Sequence, residues 1–286
     1  MSLTIHPPVC FTETGNRSHN EDSVFPPPGR ATMADRLFLV CDGVGGEHRG
    51  EVASAEACRC LSDYCLHNPD ALTSTEQVQQ ALDYTRRAFE AIEQQDTEAK
   101  GMATTLTLLL LLDDQVVIAH LGDSRIYQVR DGKIIYQTRD HKWVNELIAS
   151  GVITEEQARE HPKKNVITRV LSASRPDPAD FKIIDDVRVG DYFFLCTDGV
   201  LERVYDGLLE YHLGQVSSEP ISTESIMSAI QEECEGMTND NFSAYLIQIE
   251  SVSSGESLVS VLDKEVTAQP DRSILPSAHI WEPKEK

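Results

Sequence analysis

Apolar residues in this chain come mostly in short runs, each stopped by a polar turn. Residues 37–41 (Leu-Phe-Leu-Val-Cys) form one such run and end at Asp42-Gly43, the pattern of a buried strand closed by a turn. The device returns at 191–196, where Thr197-Asp198-Gly199 ends the run. Residues 9–14, 102–112, 116–121, 126–129, 133–137, 166–171, 181–187 and 242–249 read as further strands. Asp113-Asp114, Gly122-Asp-Ser-Arg125 and Asp131-Gly132 link neighbouring runs tightly, and Asp131-Gly132 suits a hairpin. Links this short predict an antiparallel meander rather than a doubly wound parallel sheet.

Helical spacing appears at 52–66 and at 76–94, where Val78, Leu82, Ala88 or Phe89, and Ile92 share one face. Residues 143–149, closed by Gly151, and a capping box at Thr154-Glu-Glu-Gln157 predict two short helices. Together 142–165 reads as a helical insertion between strands, a flap. Residues 224–235 form an amphipathic helix, and Asn239-Asp240-Asn241 opens the last strand. From Ser251 the composition turns to Ser, Glu, Lys and Pro without periodicity. Residues 1–250 are therefore expected to form one domain and 251–286 a mostly disordered tail, with Ile280-Trp281 near its end.

Composition narrows the function classes. The longest apolar run, 106–112, is strand-sized and far short of the ~20 residues that span a bilayer. Residues 1–20 lack the basic and apolar regions of a signal peptide, so a cytoplasmic location is expected. Seven cysteines without scaffold spacing read as reduced core thiols, and Cys58-x-Cys60 on a helix does not make a zinc pair. Acidic residues outnumber basic ones 47 to 25, and the net charge of −22 repels nucleic acid and anionic membranes. The same balance suits divalent cations.

The candidate chemistry is carboxylate chemistry. Glu21, Asp22, Asp42, Asp123, Asp198 and Asp240 all stand at strand ends or tight turns. Carboxylates without neighbouring Cys or His ligands suit hard octahedral cations, Mg²⁺ or Mn²⁺. Two such ions ~3.5–4 Å apart can share a bridging carboxylate, activate water and clamp a phosphoryl group. Arg17 lies four residues before Glu21, and a guanidinium is a natural bidentate partner for phosphate. Whether these strand ends meet is a matter of tertiary structure.

The motifs run in a set order along residues 9–250. They begin with Arg17-x-x-x-Glu21-Asp22, Asp42-Gly-Val-Gly-Gly46 with Gly50-Glu51, and Gly101-x-x-Thr104-Thr105. Gly122-Asp-Ser-Arg125, Thr138-x-Asp140-His141 and Asn165-Val-Ile-Thr-Arg169 follow, then Thr197-Asp198-Gly199 and Asp240-Asn241. In this order they resemble the metal-dependent Ser/Thr protein phosphatases of the protein phosphatase 2C type, in their compact bacterial form. The resemblance implies an α+β fold: a four-layer α-β-β-α sandwich of two antiparallel sheets flanked by helices, with metals in a cleft at one end. It implies that Asp42 bridges two Mn²⁺ or Mg²⁺ ions and that Gly43 lends its carbonyl. Asp198 and Asp240 would hold one ion, and Glu21, supported by Asp22, the other, partly through water. Asp123 matches the aspartate that forms a third-metal site with Asp198 in some members. Arg17 would hold the substrate phosphate, and the flap would influence access.

The implied reaction is direct hydrolysis of phosphoserine or phosphothreonine on proteins by a hydroxide bridging the metals, without a phosphoenzyme. The implied partners are phosphoproteins, a bacterial-type Ser/Thr kinase and its substrates, and the implied state is a monomer. The chain has no Cys-x₅-Arg nucleophile loop, and Cys41 and Cys196 lie inside apolar strands. It departs from the family pattern at Val44, where many eukaryotic relatives carry histidine, which implies a metal-bound water as proton donor. It departs again at Glu47-His48, where bacterial members often place histidine first. Asp140-His141 is expected to buttress the flap, Thr104 and Thr105 to pack a strand start, and Lys163-Lys164 to be a solvated loop. Thr168 and Arg169 are expected to contact substrate or to form structural hydrogen bonds. Two alternatives share the fold: a non-catalytic phosphoprotein-binding regulator, and a sigma-factor-pathway serine phosphatase. The first expects lost ligands, whereas Asp42, Asp198 and Asp240 are all present. A metal-dependent nuclease is disfavoured by the net charge.

Overall fold

The computed structural model describes residues 2–44, 49–68, 72–215 and 222–253. Glu47-His48 and residues 254–286, with Ile280-Trp281, lie outside the described residues. The first strands are β1 (Ser2–Ile5), β2 (Val9–Glu13), β3 (Asp22–Phe25) and β4 (Leu37–Val44), followed by α1 (Gly50–His67) and α2 (Thr75–Gln95). Next come β5 (Ala103–Thr104), β6 (Leu106–Leu111), β7 (Val116–Leu121), β8 (Arg125–Arg130) and β9 (Lys133–Gln137). Within the expected flap lie α3 (Trp143–Ala149) and α4 (Glu155–Arg159), and β10 (Leu171–Ser172), β11 (Asp180–Ile184) and β12 (Tyr192–Cys196) follow them. The chain then forms α5 (Asp198–Leu201), α6 (Asp206–Leu213), α7 (Thr223–Cys234) and β13 (Phe242–Ser253).

The strands form two antiparallel sheets. One is six-stranded in the order β1-β13-β12-β8-β9 with β2 also on β13; the other is seven-stranded in the order β10-β5-β4-β6-β7-β11 with β3 also on β4. Phe38, Val40, Leu109 and Ile118 of one sheet meet Ile126, Phe193, Leu195, Tyr245 and Ile247 of the other in the central core. Leu37, Leu39 and Cys41, on the opposite face of β4, pack with α1 and α2 through Ala57, Leu61, Leu82 and Phe89. On the far side Phe194, Leu246 and Val129 pack with Leu209, Ile226 and Ile230 of α6 and α7. The α-β-β-α sandwich is thus built from strands buried on both faces, which is why 37–41 and 106–111 read as continuous apolar runs.

Several expected boundaries shift. The strand expected at 102–112 breaks at Thr105, where the Asp42 N–H donates to the Thr105 hydroxyl at 3.0 Å instead of to a backbone carbonyl. The strand expected at 166–171 shrinks to Leu171–Ser172. Its backbone is taken by the base of the flap: Trp143 N–H donates to the Val166 carbonyl and Thr168 N–H to the His141 carbonyl. The start of the expected tail is strand instead, since Thr4, Leu3 and Ser2 of β1 pair with Ser251, Val252 and Ser253. β1, β3, α5 and α6 escaped the sequence reading because they are short, and β3 and α5 both begin on aspartates.

Candidate active site

Strand alternation aims the carboxylates. Phe38 and Val40 face the inter-sheet core, so two-residue periodicity puts Asp42 on that same face at the strand's end. Val24 also faces this core, and Asp22, two residues earlier, is the register partner of Asp42. In the opposite sheet the inward positions Phe193 and Leu195 lead to Thr197, whose hydroxyl donates to Asp22 Oδ2 at 3.0 Å. The Ser243 N–H donates in turn to Thr197 Oγ1 at 3.0 Å. Asp198 follows Thr197 directly and opens α5.

Threonines hold the Asp42 backbone in place. Its N–H donates to Thr105 Oγ1 at 3.0 Å, and the Thr104 hydroxyl donates to its carbonyl at 2.8 Å. Thr105 Oγ1 also lies 2.7 Å from Ser124 Oγ, which ties the two strand ends together. Gly43 and Gly50 are there for space. A Cβ on Gly50 would stand 2.6 Å from Glu21 Oε2 and 2.8 Å from the Gly43 carbonyl oxygen. That carbonyl and the Glu21 carboxylate therefore share a pocket that only glycine at position 50 leaves open.

Asn241 positions the loop that carries Arg17 and Glu21. Its Nδ2 donates to the carbonyls of Thr14 and His19, both at 2.8 Å, and its Oδ1 accepts the Glu21 N–H at 2.9 Å. Asp240 Oδ1 accepts the Asn241 N–H at 2.9 Å, while Oδ2 accepts from Arg17 Nη2 at 2.8 Å. All the sequence-predicted site residues thus lie at one end of the sandwich, linked by direct contacts or mutual charge effects.

The electrostatics are those of a site short of positive charge. Burial pushes the Asp22 carboxyl up to about 7. Burial, then Asp22 and Asp198, hold Asp42 well above the ordinary carboxylate range. Burial and the Asp123 charge raise Asp198 to about 6, against the pull of Lys142. Glu21 is raised by burial and by Glu51. Asp22 Oδ1 and Asp123 Oδ1 are buried without a hydrogen-bond partner. An all-oxygen donor set, mutual repulsion and orphaned carboxylate oxygens fit a hard divalent cation.

The sequence reading gave Lys142 no role, although it directly follows Asp140-His141. Its Nζ lies 3.0 Å from Asp123 Oδ2 and 3.4 Å from Asp140 Oδ2, and Arg125 Nε donates to Asp140 Oδ1 at 2.6 Å. The only signal in the sequence was a lysine directly after the Asp140-His141 motif. Next to it, His120, His141 and Asp180 offer ligand atoms within 4.8 Å of one another. Backbone partners set the tautomers: the Gly122 N–H donates to His141 Nδ1 at 3.1 Å, and His120 Nε2 donates to the Gly122 carbonyl at 3.1 Å. His141 Nε2 then keeps its proton for Asp180, 3.2 Å away, and Arg169 Nη1 donates to Asp180 at 2.9 Å. This group is a hydrogen-bonded brace at the flap, since a metal on His141 Nε2 would require an imidazolate.

His120 yields a pH prediction. Burial, then His141, lower it from 6.5 to about 4. The unfolded chain takes up that proton first, so stability present above pH 6.5 is lost as pH falls toward 4. The loss amounts to about 3 kcal/mol at one pK unit per 1.36 kcal/mol. Urea unfolding of His120→Gln at pH 7 and near pH 4 should show a slope flatter than wild type by about that amount; equal slopes would refute the assignment.

All seven cysteines are free. Contact with Cys58, then burial, pushes the Cys41 thiol up, and burial does the same for Cys196, so neither is a ready nucleophile. Among the described residues no helix is long and apolar enough to cross a membrane.

Comparison with known proteins identifies the family to which this fold belongs. The family model described as protein phosphatase 2C matches residues 14–239. The Ser/Thr protein phosphatase PstP of Mycobacterium tuberculosis is 32% identical over 217 residues, which cover 75% of this chain but only 37% of that protein. The Ser/Thr phosphatase stp of Listeria innocua is 32% identical over 199 residues, covering 68% of this chain and 77% of its own length. A crystal structure of the PstP catalytic domain in complex with 2 manganese ions superposes with a TM-score of 0.71 at 28% identity, covering 87% of this chain and all of that one. The chain belongs to the protein phosphatase 2C family.

Proposed function

We propose that this chain hydrolyses phosphoserine and phosphothreonine esters on proteins, using two divalent cations, Mn²⁺ or Mg²⁺. In this reading Asp42 would be shared by both ions, Glu21 and the Gly43 carbonyl would serve one, and Asp198 and Asp240 the other; the charges of Asp198 and Asp240 both act on Asp42, and Glu21 Oε2 and the Gly43 carbonyl meet beside Gly50. Asp22 supports the first half through its contact with Thr197 and its pairing opposite Asp42. When bound, such ions supply an activated water and offset the charge of the phosphoryl group. Arg17 is the anion-binding group of the site, and 58% of its side chain is exposed even while it pairs with Asp240. In the overall reaction a water oxygen bonds to phosphorus as the bond to the serine or threonine oxygen breaks. The alkoxide takes a proton and inorganic phosphate leaves.

One observation carries this reading. Asp22, Asp42 and Asp198 converge from two sheets with their carboxyls all raised, a strained arrangement that makes sense around cations. Free cysteines throughout support a reducing, cytoplasmic setting, and the expected substrates are the targets of a Ser/Thr kinase.

The test is hydrolysis of para-nitrophenyl phosphate and a phosphothreonine peptide with Mn²⁺, with chelator, and by Asp198→Asn. Turnover that needs Mn²⁺ and disappears in both other arms is the expected outcome. No turnover by folded protein in saturating Mn²⁺ would sink the enzyme reading in favour of a phosphoprotein-binding module.

A further inference from the structure

Lys142 stands beside Asp123, the aspartate that the family resemblance assigns to a third cation. Its ammonium is 3.0 Å from Asp123 Oδ2 and 3.4 Å from Asp140 Oδ2, and the side chains of Lys142, Asp123 and Asp140 are only 19%, 3% and 4% exposed. We infer that the Lys142 ammonium replaces a third divalent ion at Asp123, so that this chain carries two metal sites and closes the third with its own cation. The inference rests on the proposed metal reading of Asp198 and Asp42.

Three observations support it. First, the lysine is anchored rather than loose: its backbone bridges Ile167 and caps the start of α3, and the next residue, Trp143, donates its N–H to the Val166 carbonyl. The charge is therefore held at the foot of the flap and aimed at the turn between β7 and β8. Second, Asp140 is already paired with another cation. Arg125 Nε and Nη2 donate to the two oxygens of Asp140 at 2.6 and 3.0 Å, which leaves Lys142 to neutralise Asp123.

Third, the ammonium holds the position an ion would need. A Mg²⁺ or Mn²⁺ ion can be held by one or two carboxylates with water completing its octahedron, so the charge already on Asp123 decides whether it binds. Asp123 has one unpaired oxygen, Oδ1, and an ammonium on its other oxygen repels any dication that would use it. The arrangement also joins the flap to the site: the ion pair that closes the third position is carried by the flap's first residue. An ion taken from solution would couple the two only when bound. Lys142 couples them permanently.

Mn²⁺ binding to the full chain, counted by calorimetry and by the electron paramagnetic resonance of free Mn²⁺, tests the inference. Wild type should bind about two ions, Lys142→Ser about three, and Lys142→Arg about two. Adding Asp123→Asn to Lys142→Ser should return the count to about two. A wild-type count of three would overturn the inference and leave the phosphatase reading intact. So would a Lys142→Ser protein that melts like wild type and still binds two. Wild type that binds no Mn²⁺ would overturn both. Should Lys142→Ser fail to fold, the wild-type count and Lys142→Arg still decide the matter, because a third ion in either contradicts a site closed by a fixed cation.

Discussion

Asp42→Asn is expected to lower metal-dependent turnover by on the order of 10³-fold while making the metal-free protein more stable. The two effects share a cause. Asp42 is held well above the ordinary carboxylate range by burial, then by Asp22, Asp198, Asp123 and Asp240. A carboxyl raised in this way is compatible with the fold while protonated and opposes it once charged. Its favourable contribution is complete below its ordinary value and is lost as pH rises through its folded value. Asparagine keeps the shape without the charge, so it should stabilise the metal-free chain by about 1–2 kcal/mol, more at pH 8 than at pH 5. Urea unfolding in chelator at both pH values measures the first effect, and steady-state hydrolysis with Mn²⁺ measures the second. If Asp42→Asn destabilised the metal-free chain and kept its activity, Asp42 would be a structural carboxylate rather than the centre of the site.

Asn241→Ala should have the second largest effect, with both stability and activity falling. Asn241 is buried and makes three hydrogen bonds to the backbone of the Arg17 loop, at 2.8, 2.8 and 2.9 Å. Each is worth about 1 kcal/mol net, and leaving buried backbone groups unpaired costs more, so a loss of about 2–4 kcal/mol is expected. Arg17 and Glu21 both ride on this loop, so Mn²⁺ affinity should fall at least roughly tenfold, within the range seen when groups that orient metal ligands are removed. Calorimetric titration with Mn²⁺ and thermal melting would report the two losses together. A variant that melts with wild type and binds Mn²⁺ equally well would show that the loop is held by other contacts.

Much of the site was legible because strand ends leave marks in sequence. An apolar run followed by Asp-Gly announces a carboxylate near a strand's end, and this chain shows the mark at Asp42, two residues before β4 ends, and again, as Thr197-Asp198-Gly199, at Asp198. Motif order then supplied the family and its sandwich. The supporting contacts were not legible. Asn241 appears in a motif, but its bonds to Thr14, His19 and Glu21 span more than two hundred residues of chain and depend on β2 and β13 being neighbours. Lys142 belongs to no pattern at all, and β3 looked like polar loop because Asp22, its first residue, is a buried aspartate.

By itself, then, the sequence determined most of the apolar runs, many of their turns, the acidic character and which carboxylates are candidates, all of which depend on local periodicity and residue chemistry. Only the tertiary structure decided which carboxylates meet, which oxygens stay unpaired and which cation stands beside Asp123. Those depend on strand order and register, which bring together Asp22 with Asp42, Thr197 with Asp22, and Lys142 with Asp123. Alternation along one strand can tell which way a carboxylate points, but what it points at belongs to other strands.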